Sequence, residues 1–146
     1  MDFMELAFEQ ARLAGLRDEI PVGAVLVDAT GVVLAADGNR TEAASDASAH
    51  AEILVMRAAA AKRGSPRLTG TTLYVTLEPC PMCAAAIGLF RLSRVVFGAY
   101  DVKGGGIVHG PRIFDASGCL SRPEVAGGVR EQECAALLRR FFAARR

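Results

Sequence analysis

The run Thr72-Leu73-Tyr74-Val75-Thr76-Leu77-Glu78-Pro79-Cys80-Pro81-Met82-Cys83 passes from a β-branched and aromatic stretch straight into a Cys-x-x-Cys pair. Its first six residues predict a strand. Pro81 suits the first turn of a helix, and the Ala-rich residues beyond Cys83 predict that helix to about Phe90. Cys80 and Cys83 therefore stand at a helix N-terminus, three positions and about 60° apart.

The flanks extend this strand-then-helix pattern. Upstream, Ala49-His50-Ala51-Glu52 leads into Ile53 to Lys62, rich in Ala, Leu and Met, which predicts a helix ended by Gly64-Ser65-Pro66. Val22 to Val27 and Val32 to Ala36 flank Asp28-Ala29-Thr30-Gly31 and predict a β-hairpin. Phe3, Leu6, Ala7, Phe8, Ala11 and Ala14 recur at helical spacing, with Asp2 as N-cap and Gly15 as the stop. Downstream, Val95 to Phe97 predicts a strand and Val129 to Arg145 an amphipathic closing helix. Asp101 to Pro123 is rich in glycine and predicts a long functional loop with some local structure. Strands alternating with helices predict an α/β fold, a three-layer arrangement with helices on both faces of one mixed sheet. Nothing divides the chain into repeats or linked parts, so residues 1–146 are expected to form one domain, which at this length buries roughly 70% of its unfolded surface.

Seventeen Lys and Arg against sixteen Asp and Glu leave a net charge of +1, so any contact with a polyanion must be a local patch. With 51% hydrophobic and 23% charged residues the chain is too apolar to be disordered. Residues 1–15 set apolar and acidic side chains at helical spacing, which argues against a signal peptide, and no apolar stretch reaches the ~20 residues of a membrane helix. A cytoplasmic protein is expected. In that reducing compartment Cys80 and Cys83 read as a metal-binding or redox pair rather than as part of a disulfide framework.

Two thiolates and the imidazole of His50 suit Zn²⁺, one ion per chain, and leave a fourth position open to water as catalytic zinc sites do. Residues two apart on a helix point about 200° apart, so His50 and Glu52 share a site only at the helix's N-terminal end. Two helix N-termini then converge on one point, where their partial positive charge favours thiolates. Zinc lowers the pKa of a bound water towards ~7, and Glu52, beside the metal but not bound to it, is the candidate catalytic proton shuttle. Other readings exist for the parts. Strand, Cys-Pro-Met-Cys and helix is also a thioredoxin-like redox arrangement, and a structural zinc module would close the site with a fourth ligand and give Glu52 no task. His109 is open to three readings: a further metal ligand, a substrate contact or a surface residue. Cys119 reads as a free loop thiol and Cys134 as a small packed residue.

His-x-Glu followed by Pro-Cys-x-x-Cys is the signature of zinc nucleobase deaminases. Around it, Glu19-Ile20-Pro21-Val22-Gly23-Ala24-Val25-Leu26-Val27, Gly38-Asn39-Arg40, Ala49-His50-Ala51-Glu52-Ile53, Leu73-Tyr74-Val75-Thr76-Leu77-Glu78-Pro79-Cys80, Val95-Val96-Phe97-Gly98-Ala99 and Glu133-Cys134-Ala135-Ala136-Leu137-Leu138 resemble the bacterial tRNA-specific adenosine deaminases, over about Phe3 to Arg146. The resemblance implies a cytidine-deaminase-like αβα sandwich around a five-stranded mixed sheet. It also implies a homodimer that converts adenosine to inosine at the wobble position of a tRNA anticodon, an arginine tRNA in the first instance. By matching motifs it implies that Asn39 contacts the purine, that Val22 and Ala24 line its pocket, and that Asp101 and Lys103 sit on the loop handling neighbouring nucleotides. Arg130, Arg139, Arg140, Arg145 and Arg146 lie on or near the last helix beside Phe141 and Phe142, a combination suited to phosphate and base contacts, with Phe142 and Arg145 as candidates. The alternative puts the phenylalanines in the core and the arginines in solvent. Gly104-Gly105-Gly106-Ile107-Val108-His109-Gly110 departs from the family's common Gly-Ala-x-Gly-Ser, so that loop is expected to differ in shape, whereas Ser48 in place of the usual Thr keeps a hydroxyl. The same zinc apparatus also serves deaminases of free bases such as guanine or cytosine, where a closed pocket replaces an open surface.

Overall fold

The computed structural model describes residues 1–119 and 121–145. Arg146, one of the arginines set beside the last helix, lies outside them. Helix α1 spans Phe3–Leu16 and is capped by Asp2, whose carboxylate accepts the Glu5 amide. The helix runs through Gly15 rather than stopping there. It ends where the Arg17 amide reaches back to the Leu13 and Ala14 carbonyls and Asp18, rather than Gly15, takes the left-handed conformation. The hairpin follows as β1 (Gly23–Val27) and β2 (Val33–Gly38), antiparallel as expected.

Helix α2 (Ala51–Arg63) ends at Gly64 in the left-handed conformation, then β3 (Thr72–Leu77), α3 (Pro81–Phe90) and β4 (Arg94–Ala99) follow. The 101–123 loop carries one short 3₁₀ turn, Ile113–Asp115. It delivers a fifth strand, β5 (Glu124–Ala126), that the residue pattern does not announce: three residues at the sheet edge, two of them exposed, leave no alternation to read. The closing helix α4 spans Glu131–Ala143, two residues shorter at each end than its pattern suggests. Val129 is drawn into a hydrogen bond with the Phe97 carbonyl and Arg130 turns left-handed before it.

The sheet order is β2-β1-β3-β4-β5, antiparallel across β2, β1 and β3 and parallel across β3, β4 and β5. Alternate residues divide between its faces. Val25, Val27 and Val96 pack under α1 with Met4 and Ala7, and α4 lies beside α1. Ala24, Leu26, Leu73, Val75, Val95 and Phe97 form the larger core with α2 and α3. The three-layer αβα mixed sheet expected from the sequence is thus the fold. Among the described residues no helix is long and apolar enough to cross a membrane.

Two paired glycines fix the layering near the site. Gly23 and Gly38 face one another across β1 and β2, and a Cβ on Gly23 would run into the Ala7 carbonyl and Ala11 amide of α1. Only glycine lets the helix backbone lie this close. The start of β1, the end of β2 and the C-terminal ends of β3 and β4 consequently meet at one end of the sheet, the place where α/β folds present ligand sites.

Candidate active site

At that end of the sheet His50 is the N-cap of α2 and Cys80 the N-cap of α3, while Cys83 sits fully buried in the first turn of α3. The Nδ1 of His50 is 3.6 Å from Cys80 Sγ and 3.5 Å from Cys83 Sγ, and the three donor atoms lie within 4.8 Å of one another. Zn–S bonds of about 2.3 Å and Zn–N bonds of about 2.0–2.1 Å at a tetrahedral angle put sulfur and nitrogen roughly 3.6 Å apart. The donors therefore stand at the spacing zinc requires. Among the described residues no other group of three or more His, Cys, Asp or Glu side chains converges in this way.

The electrostatics point the same way. Interaction with the Cys83 thiol, assisted by His50, holds Cys80 down to about 4 against the opposing effect of burial. Cys83, beside that thiolate and buried near Glu52, is pushed up. The protein groups alone favour one thiolate, and a divalent cation is what stabilises two at contact distance. His50 is raised, chiefly by its bond to Cys80.

Glu52, on the first turn of α2, is 4% exposed and reaches the Cys83 side of the cluster without joining the donor triangle. Burial pushes its carboxyl up to about 7, with His50 pulling in the opposite direction. A carboxyl poised near neutrality can accept and return a proton at little cost.

Asn39 is 8% exposed, and its Oδ1 accepts the Ala51 amide at 2.8 Å, which sets it against the start of α2. Its own amide donates to the Val22 carbonyl, so Val22 is its neighbour. Among the described residues the Asn39 Nδ2 makes no hydrogen bond. Val22 keeps 5% of its surface exposed and Ala24 none, so Ala24, a residue of the same core cluster, presents no surface of its own to a ligand. Asp101 and Lys103 share an open groove of about 490 Å³ with Ile20, Leu77, Tyr100 and Phe142. Phe142 is 44% exposed and faces this groove rather than the core, whereas Arg145 stacks 3.5 Å over the Phe141 ring and pairs with Asp18 at 2.6 Å.

Glu19 and Glu78 are buried carboxylates that the residue pattern does not announce. Glu19 accepts the amides of Glu42 and Ala43 and the Thr41 hydroxyl, fixing the chain between β2 and α2. Glu78 accepts the amides of Asp101, Ile107, Val108 and His109 and bonds His109 Nδ1 at 2.8 Å. His109 is therefore turned to Glu78 and stands outside the donor triangle. Their signal lies in partners more than twenty residues away, which no local pattern exposes. Cys134 is packed against Gly98, and Cys119 donates to the Ser121 carbonyl.

Residues 1–99 match the cytidine and deoxycytidylate deaminase zinc-binding region. The chain is 52% identical over 144 residues to a tRNA-specific adenosine deaminase of Agrobacterium fabrum, covering 99% of this chain and 94% of that protein. It is 44% identical to one of Bacillus subtilis, covering 96% and 86%. A solved structure from studies of A-to-I editing by tRNA:A34 deaminases at the wobble position of transfer RNA superposes with a TM-score of 0.91 at 52% identity, over 93% of this chain and 98% of that one.

Proposed function

This chain belongs to the tRNA-specific adenosine deaminases of the cytidine and deoxycytidylate deaminase zinc-binding family, and we propose that it converts adenosine to inosine at the wobble position of tRNA anticodons, with residues 1–146 acting as one zinc deaminase domain. The observation that carries the chemistry is the Cys2His triangle at two helix N-termini with a buried, near-neutral carboxyl beside it and outside it. His50, Cys80 and Cys83 hold the metal. When bound, zinc supplies Lewis acidity that makes water a nucleophile near pH 7. With the metal held there, Glu52 would take one proton from the attacking water and give it to the purine ring nitrogen, then carry the proton of the newly added hydroxyl to the departing amino group, so that adenosine and water become inosine and ammonia. Asn39 Nδ2 reads the purine next to Val22, with Ala24 packed in the same core cluster as Val22. Asp101, Lys103 and Phe142 meet the neighbouring nucleotides in the groove, and Arg145 exchanges exposed Asp18 for a phosphate.

The anticodon arm of an arginine tRNA is the substrate this reading favours, in the cytoplasm where tRNA is decoded. A homodimer is part of it. The apolar groove of about 330 Å³ beside α3, with Leu89 81% exposed at its rim, supports a covered face there. The deciding experiment gives zinc-loaded protein an arginine tRNA anticodon stem-loop with adenosine at the wobble position and follows inosine. Conversion by the wild type and none by Glu52→Ala is the expected outcome. Folded, zinc-bearing protein that leaves the stem-loop untouched and deaminates free guanine or cytosine would overturn it.

A further inference from the structure

Glu78 has no place in the proton chemistry, yet its side chain is fully buried at the turn between β3 and the metal-bearing helix. Oε1 accepts the Asp101 amide at 3.1 Å and meets His109 Nδ1 at 2.8 Å. Oε2 accepts the amides of Ile107, Val108 and His109 at 3.2, 2.9 and 3.1 Å. One carboxylate thus ties both ends of the 101–109 loop into a ring. The loop in turn rests on the metal-bearing turn. The Gly106 amide donates to the Pro79 carbonyl at 2.8 Å, and a Cβ on Gly106 would come within 2.6 Å of the Pro81 nitrogen and 2.8 Å of the Cys80 carbonyl carbon. A Cβ on Gly105 would lie 2.5 Å from Glu78 Oε2. The consecutive glycines are the condition for this fit.

We propose that Glu78 is a positioning residue for substrate binding, holding the Asp101–His109 loop as one wall of the substrate groove in fixed register with the Cys80 turn. The proposal rests on the functional reading above, since that reading makes Asp101 and Lys103 substrate contacts. An ionised carboxylate only accepts, so it is His109 Nδ1 that carries a proton in this bond. Replacing Glu78 by Gln puts an amide donor against at least one of five donors, which opens the loop without adding or removing bulk.

The test uses zinc-loaded full-length protein and the wobble-adenosine stem-loop. Glu78→Gln is expected to keep one zinc per chain and a kcat within about threefold of wild type, while KM rises about tenfold or more. Amide exchange should quicken at 101 and 107–109 but not within α3. His109→Ala, which removes one bond of five and is the safer variant for folding, should raise KM about two- to fivefold. Nitrogen-15 NMR of the imidazoles adds a readout independent of activity. With only two histidines in the chain, the His109 signal is expected in the Nδ1–H form and should return to Nε2–H in Glu78→Gln. Unchanged KM and exchange in folded variants, loss of zinc together with kcat, or an Nε2–H imidazole in the wild type would each overturn the proposal alone. A wild type inactive on RNA would overturn the functional reading, and this proposal with it.

Discussion

Glu52 and Glu78 are both buried carboxylates at the same end of the sheet, two residues after His50 and two before Cys80, and their surroundings drive them in opposite directions. Around Glu78, burial pushes the pKa up, but His109 and the amides of Asp101, Val108 and His109 outweigh it and leave the group lowered. Among the described residues no other segment offers Glu52 an amide; its neighbours are the donor cluster and its own backbone, and burial leaves it at about 7. The same side chain serves as a fixed anion in one place and as a proton carrier in the other, and what decides is the number of N–H groups aimed at it. Supplying hydrogen bonds to Glu52 would stabilise its charge and spoil its use.

The sharpest way to break this contrast is Glu52→Gln. Activity should fall by about 10²–10⁴ or more while zinc content is kept and the melting temperature does not drop, because a neutral amide suits that buried position as well as the carboxyl does. Inosine formation and a thermal melt check both halves. Glu78→Ala should do the reverse, costing about 3–5 kcal/mol in denaturant unfolding by leaving five donors, most of them only partly buried, without their shared acceptor.

Glu19 extends the comparison to a second loop. Burial raises its pKa, and the Glu42 and Ala43 amides, the Thr41 hydroxyl and the Arg17 charge more than compensate, so it is net lowered. Its folded-state pKa lies below its unfolded value, so its stabilisation is complete above pH 4.5 and lost as pH falls through the native value. Glu19→Gln should therefore cost about 1–3 kcal/mol at pH 7 and much less in acid, as denaturant curves at several pH values would show. Smallest of all, Glu9→Gln removes an exposed pair with Arg12 and should leave the melting temperature unchanged.

The legible parts of this molecule are those encoded locally. Asp2 at an N-cap, Pro81 in a first helical turn, Gly64 at a helix end and the β-branched run of Thr72 to Leu77 each act through near neighbours, and each is where the sequence puts it. The donor set was legible for the same reason: two residues apart on a helix, His50 and Glu52 can share a site only at its end, whatever the tertiary fold. What stayed hidden depends on distant partners. Glu78 bonds residues 23 to 31 positions away, and Arg130 takes a left-handed conformation where it bridges to Asp2 and Glu5. Three-residue β5 exists because β4 offers it an edge.

Arg130 reaches the first turn of α1 from the start of α4, and Arg145 reaches Asp18 beyond the last turn of α1, so the two helices run side by side in the same direction. Anything joined ahead of Asp2 accordingly leaves at the hairpin pole, where Phe3 lies by Gly31, far from the metal donors. An attachment at Arg145 itself sits beside Phe142 and the groove. For tethering, labelling or surface immobilisation the two attachment points are not equivalent: the first leaves the approach to the groove clear, and the second stands in it.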